Sequence, residues 1–137
     1  MFHHPPTGAL PAIIVGETEE VRLTALATAA ASNGRAVQSA RILLAELERA
    51  RIVRDRDMPA DTVRMYSTVE FQIDQGERRR VQLVYPGEAN IDDGRISILT
   101  PIGAALIGLS PGQTISMQGH DGRAHALTVS LVEAAPS

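Results

Sequence analysis

The sequence predicts an α+β protein: an N-terminal antiparallel helical hairpin (a short coiled coil), then an antiparallel sheet that carries one short helix. Three observations predict it. In residues 36–52, Val37, Ala40, Leu44, Leu47 and Arg51 recur at alternating spacings of three and four, the stripe of one helix face. Beyond residue 61 the period switches to two. Val63, Met65, Val69, Phe71 and Ile73 share one face of 62–74, and Arg64, Tyr66, Thr68, Glu70 and Gln72 share the other, as in a strand with one buried side. Finally, Ile102, Ala105, Leu106 and Leu109 return to helical spacing inside the strand region.

Residues 1–17 read as a lead, in which the apolar run of 12–15 is an edge strand or a docking segment and Gly16 ends it. His3 and His4 have no third ligand nearby and belong to that lead. The hairpin spans 18–53. Thr18 can cap its first helix, and Glu19 and Glu20 fall in the first turn, where the helix dipole favours negative charge. Val21, Leu23 and Leu26 lead into the alanine-rich stretch 25–31. Ser32, Asn33, Gly34 and Arg35 form the turn at the hairpin tip, and the second helix follows over 36–52, its stripe broadened by Leu43. Arms of about four turns, at roughly 5.4 Å per turn, suit either a packing layer or a projecting finger.

Residues 54–61 are charged, contain Met58-Pro59 and read as a linker, which places a domain boundary before 62–137. After the strand of 62–74, Gln75-Gly76 turns the chain. Residues 78–85 return with Val81, Leu83 and Tyr85 on one side. Pro86-Gly87 interrupts, and Asp93-Gly94 leads to a strand over 95–99 in which Ile96 and Ile98 alternate with Arg95, Ser97 and Leu99. Thr100 is then an N-cap and Pro101 the first helical residue, where its missing N–H costs nothing; Ser110-Pro111-Gly112 ends the helix. A strand over 114–117, an Asp121-Gly122 hairpin turn and a strand over 124–133, with Leu127, Val129 and Leu131 inward, complete the sheet.

With no cysteine, the 137-residue chain has no disulfide, zinc–thiolate site or cysteine nucleophile. Aromatic residues make up 3% of it and tryptophan is absent, so the stacking surfaces used on single-stranded nucleic acid are scarce. Net charge is −3, the opposite of a nucleic-acid footprint, and no direct sequence-specific nucleic-acid contact is expected. No apolar run approaches the ~18 residues of a membrane span, and the N-terminus lacks the pattern of a secretion signal, so a cytoplasmic chain is expected.

Candidates for chemistry are few. His120, Asp121 and His125 surround a turn that its own Asp-Gly dipeptide explains, although a metal or acid–base site is conceivable there. Asp92-Asp93-Gly94 lacks the further oxygen ligands calcium needs. Arg78, Arg79 and Arg80, opposed by Glu77, Asp74 and Glu88, form a solvated strand end or touch phosphate or an acidic partner. Ser97, Ser110, Ser116 and Ser130 have no triad partner placed by a motif, and Gly103 and Gly108 lack the lysine of a phosphate loop. No cofactor, metal or enzymatic activity is expected. The stretch 95–113 reads instead as a binding surface.

Residues 83–115, LVYPGEANIDDGRISILTPIGAALIGLSPGQTI, resemble the C-terminal domain of the Gre-type bacterial transcription elongation factors and, more closely, the Rnk-type regulators of nucleoside diphosphate kinase. The likeness extends through MPADTVRMYSTVEF (58–71) and AELERAR (45–51), covering about 44–132. It implies an FKBP-like C-terminal domain, a coiled-coil hairpin and binding to the RNA polymerase core near its secondary channel. The polymerase contact carried over falls on Leu99, Thr100 and Pro101, with Ile102 adjoining. Gre-type factors hold acidic residues at the hairpin tip that help bind a catalytic magnesium, whereas Ala31 to Arg35 supply no carboxylate. Occupancy without transcript cleavage is therefore expected. The FKBP-like fold also raises prolyl isomerisation, but Phe2, Tyr66, Phe71 and Tyr85 are a thin aromatic supply, and none is expected. Two alternatives stay open: a Gre-like factor that rescues stalled polymerase, and a non-catalytic FKBP-like peptide-binding module. Oligomeric state is likewise open, since the alanine-rich first helix could pair with a second copy.

Overall fold

A computed structural model describes residues 10–32, 34, 36–119 and 121–135. Its elements in chain order are β1 (Ile14–Gly16), α1 (Glu17–Ser32), α2 (Val37–Arg49), β2 (Arg51–Val53), β3 (Thr68–Ile73), β4 (Arg79–Val84), β5 (Arg95–Ser97), α3 (Pro101–Leu106), β6 (Thr114–Gln118) and β7 (Ala124–Glu133). The helical hairpin followed by a sheet with one short helix is the predicted α+β arrangement. His3, His4, Asn33, Arg35 and His120 lie outside the described residues.

The sheet runs β5-β4-β3-β7-β6, and it is mixed, not antiparallel throughout, because β5 lies parallel to β4. The reason is the connection. Two 3-10 turns, Pro86–Glu88 and Ile91–Asp93, carry the chain back along the sheet edge, and left-handed Gly94 (φ 72°) feeds β5 in alongside β4. A tight hairpin would have forced the opposite direction. The run of 12–15 becomes β1, whose partner is β2 in a separate parallel pair. Accordingly α2 ends at Arg49, short of the predicted residue 52. Ala50 is extended at ψ 148°, and the β-branched Ile52 and Val53 pair with β1. Arg49 closes this end by donating to both Glu46 carboxylate oxygens (3.0 and 2.7 Å) and to the Pro11 carbonyl.

Thr18 does not cap α1, which begins one residue earlier. Its N–H donates to Asp55 Oδ1 at 3.0 Å and its hydroxyl donates to Oδ2, so a carboxylate from the 54–61 segment satisfies the helix start. β3 begins at Thr68 and not at 62, because Tyr66 has φ 71° and breaks the extended run. Val63 and Met65 are buried all the same. Val63 exchanges backbone bonds with Leu109 and Gly108 beyond α3 (2.8 and 3.0 Å).

Leu127 and Val129 face inward as predicted, but Leu131 is 42% exposed and Val132 takes the core position. A bulge between Glu70 and Phe71 sets Val129 opposite Phe71 and Leu131 opposite Glu70, leaving Ser130 as the extra residue that reverses the faces. α3 stops at Leu106, before Ser110, because the chain turns at Gly108 (φ 78°). A Cβ at Gly108 would lie 2.9 Å from Ile13 Cβ, so β1 can pass close to that turn only because the residue is glycine. α2 lies against α3. Leu23 and Ala27 of α1, Ala40, Leu43 and Leu47 of α2, and Phe71, Leu83, Ile98 and Leu106 join one buried cluster.

Candidate functional site

Leu99, Thr100, Pro101 and Ile102 form the corner where β5 gives way to α3, all four half-buried. The Thr100 hydroxyl accepts from the Gly103 N–H at 3.0 Å and donates to the Ser97 carbonyl at 2.7 Å, so one oxygen caps the helix and ties it to the strand. The Leu99 N–H donates to Ser97 Oγ at 2.9 Å, and the Ile98 N–H donates to the Val84 carbonyl at 2.9 Å. Leu99 and Ile102 rest on the core, and Pro101 fixes φ at the first helical position. A Cβ on Gly103 would sit 2.2 Å from the Ser97 carbonyl oxygen, so α3 meets β5 as closely as two backbones allow. The corner is stiff and partly exposed.

At the hairpin tip, Ser32 and Gly34 are exposed, and Gly34 has φ 108°. Ser32 Oγ donates to the Thr28 carbonyl at 3.3 Å. Among the described residues, no three His, Asp or Glu side chains are arranged to hold a metal ion.

The polar candidates of the sheet are bound up within it. His125 lies between two carboxylates, with Nδ1 2.6 Å from Asp74 and Nε2 3.0 Å from Asp121, an arrangement that clasps two turns. The bond from Asp74, then that from Asp121, raises the histidine pKa, and the bond with His125 lowers both aspartates. Arg80 bridges Glu70 and Glu133 across three strands (2.9 and 2.6 Å), and the Arg79 guanidinium stands 5.7 Å from the Phe71 ring centroid. Asp93 accepts from Asn90 and Arg95 inside its own turn. Ser110 is bonded to Thr62, and Ser130 donates to the Glu70 carbonyl.

One feature escaped the sequence reading. Both tyrosines of the chain line a groove of about 440 Å³ between the start of α1 and the sheet, together with Glu19, Arg22, Arg64 and Met65. Strict alternation puts Tyr66 and Tyr85 on different faces, and the left-handed backbone at Tyr66 brings them together, centroids 6.0 Å apart. The available signal was their rarity: two tyrosines at neighbouring strand ends in a chain with almost no aromatics.

A helical hairpin joined to a mixed sheet that ends in a stiff strand-to-helix corner is a Gre-type architecture. The family model described as "Transcription elongation factor, GreA/GreB, C-term" matches residues 58–134. The "Regulator of nucleoside diphosphate kinase" of Escherichia coli K12 is 35% identical over 127 residues, covering 92% of each chain. "Transcription elongation factor GreA" of Rhodospirillum rubrum is 37% identical over 75 residues, 54% of this chain and 48% of that protein. Among solved structures, the "Prokaryotic transcription elongation factor GreA/GreB from Nitrosomonas europaea" superposes with a TM-score of 0.69 at 32% identity, covering 89% of this chain and 99% of that one. The chain belongs to the GreA/GreB transcription elongation factor family.

Proposed function

We propose that this GreA/GreB-family regulator binds the RNA polymerase core near its secondary channel through Leu99, Thr100, Pro101 and Ile102, and acts by occupancy. The observation that carries the reading is the corner itself. Its backbone is fixed by Thr100, Pro101 and Gly103 before any partner arrives, so docking loses little conformational entropy. In this reading 18–53 is the finger, 54–61 its junction and 62–137 the docking domain.

The tip residues Ser32, Asn33, Gly34 and Arg35 supply no carboxylate, and magnesium is held by charged oxygen ligands. Transcript cleavage is therefore not stimulated. No bond is made or broken, and the effect on transcription comes from excluding other channel ligands. The test is co-purification with core polymerase, with and without a Gre-type competitor. Thr100→Ala with Pro101→Ala lowers affinity while the fold is retained. Unchanged affinity refutes the contact assignment, and shortening of backtracked RNA on addition of the protein refutes occupancy.

A further inference from the structure

The groove beneath the two tyrosines has the chemistry of a cation receptor. Its Glu19 carboxylate is only 15% exposed, yet its contacts are long: the Met65 N–H at 3.4 Å and Arg64 Nε at 3.6 Å. Burial, the largest influence, pushes this carboxyl group's pKa up. The group is thus desolvated without strong donors, a state that a further cation relieves.

Both aromatic walls rest on the core, and the backbone of one of them is strained. Among the described residues, Tyr66 is one of two non-glycine residues with positive φ. A left-handed backbone is unfavourable for a residue of this bulk, and such strain concentrates at functional sites. Its N–H donates to the Leu83 carbonyl at 2.6 Å, the Gln82 amide donates to its carbonyl at 3.2 Å, and its hydroxyl donates to Glu88 at 2.6 Å. Tyr85 already accepts a cation, since the Arg22 guanidinium carbon stands 5.2 Å from its ring centroid. Glu19, Asp55 and Glu88 outnumber Arg22 and Arg64 around the site, three negative groups to two positive.

Register places the groove beside the corner. Val84, which pairs with Ser97 and accepts from the Ile98 N–H, immediately precedes Tyr85. Tyr85 thus stands beside the strand that leads into Leu99 to Ile102.

We propose that this groove receives a lysine or arginine side chain from the protein partner docked on the corner, its cation lodged between the tyrosine rings and the Glu19 carboxylate. The partner's identity rests on the reading above; the groove's chemistry does not.

The experiment titrates the ¹⁵N-labelled protein with N-acetyl-lysine methylamide, N-acetyl-arginine methylamide and the uncharged N-acetyl-norleucine methylamide, following amide shifts in NMR. Either cationic probe should give saturable shifts at Glu19, Met65 and Tyr66 that weaken at high salt, with norleucine failing to saturate. Glu19→Gln and Tyr85→Leu should each abolish saturation while distant shifts stay in place. If either variant unfolds, the comparison of charged and uncharged probes on the wild-type protein decides alone. No saturation, or equal response to norleucine, overturns the proposal. Where the wild-type protein binds core polymerase, Glu19→Gln should weaken that complex about tenfold, the scale of a hot-spot contact. If polymerase does not bind at all, the function proposed above fails, while the probe titration still decides the groove.

Discussion

Replacing Gly103 with alanine adds a methyl group where two backbones already touch. The new Cβ would lie 2.2 Å from the Ser97 carbonyl oxygen and 3.0 Å from Ile98 Cα, against an ordinary contact of 3.4 Å or more. α3 must then retreat by about 1 Å from the end of β5, stretching the 3.0 Å bond from the Gly103 N–H to Thr100. Overpacking of this kind costs about 1–3 kcal/mol, and the upper end applies because the obstructing atoms are backbone and cannot rotate away. Weakening the cap adds roughly 0.5–1 kcal/mol, while the better helix propensity of alanine returns about 1 kcal/mol. The net loss is about 2–3 kcal/mol, which for a chain this long lowers Tm by roughly 6–10 °C. Urea denaturation should show a lower midpoint with an unchanged slope. A variant as stable as wild type, or more so, would refute the close approach of α3 to β5 and with it the stiffness ascribed to the corner.

Other expectations follow from the same geometry. Thr100→Ala removes the oxygen shared by cap and tie, and urea denaturation should show a loss of about 1–2 kcal/mol. The bulge predicts opposite behaviour for neighbours: Val132→Ala should cost about 1–3 kcal/mol, whereas Leu131→Ala should stay within roughly 0.5 kcal/mol; equal costs would refute the register. The His125 clasp gives a pH dependence with a definite sign. Because the folded histidine pKa is raised from 6.5, its contribution is complete below pH 6.5 and disappears as pH rises through the higher folded value. Asp74 and Asp121 are lowered from 3.8, so theirs is present above pH 3.8 and disappears as pH falls through the lower folded values. His125→Gln should remove the alkaline decline, measured as Tm from pH 6 to 9, and leave the acid limb without its histidine-linked part.

Much of the fold was legible because it is written in local pattern. The spacing of Val37, Ala40, Leu44 and Leu47 identifies α2, alternation through Val69, Phe71 and Ile73 identifies β3, and Thr100-Pro101 identifies the start of α3 to the residue. The errors cluster where a distant partner outvotes local propensity. Arg51 continues a helical stripe, yet β1 recruits residues 51–53 into a strand. Thr18 looks like a cap until Asp55 arrives from beyond α2. Leu131 keeps period two with Leu127 and Val129, but one extra residue opposite Glu70 turns it outward.

The sequence by itself determined the order and kind of the main elements, the stiff strand-to-helix corner and the absence of carboxylate at the tip, because each is a property of a few consecutive residues. Only the tertiary structure decided that β5 runs parallel to β4, that the hairpin is seated through α2 against α3, and that Tyr66, Tyr85 and Glu19 share one groove. Those outcomes depend on contacts between residues far apart in the chain, whose free energy exceeds the small local preferences that a short stretch of sequence expresses.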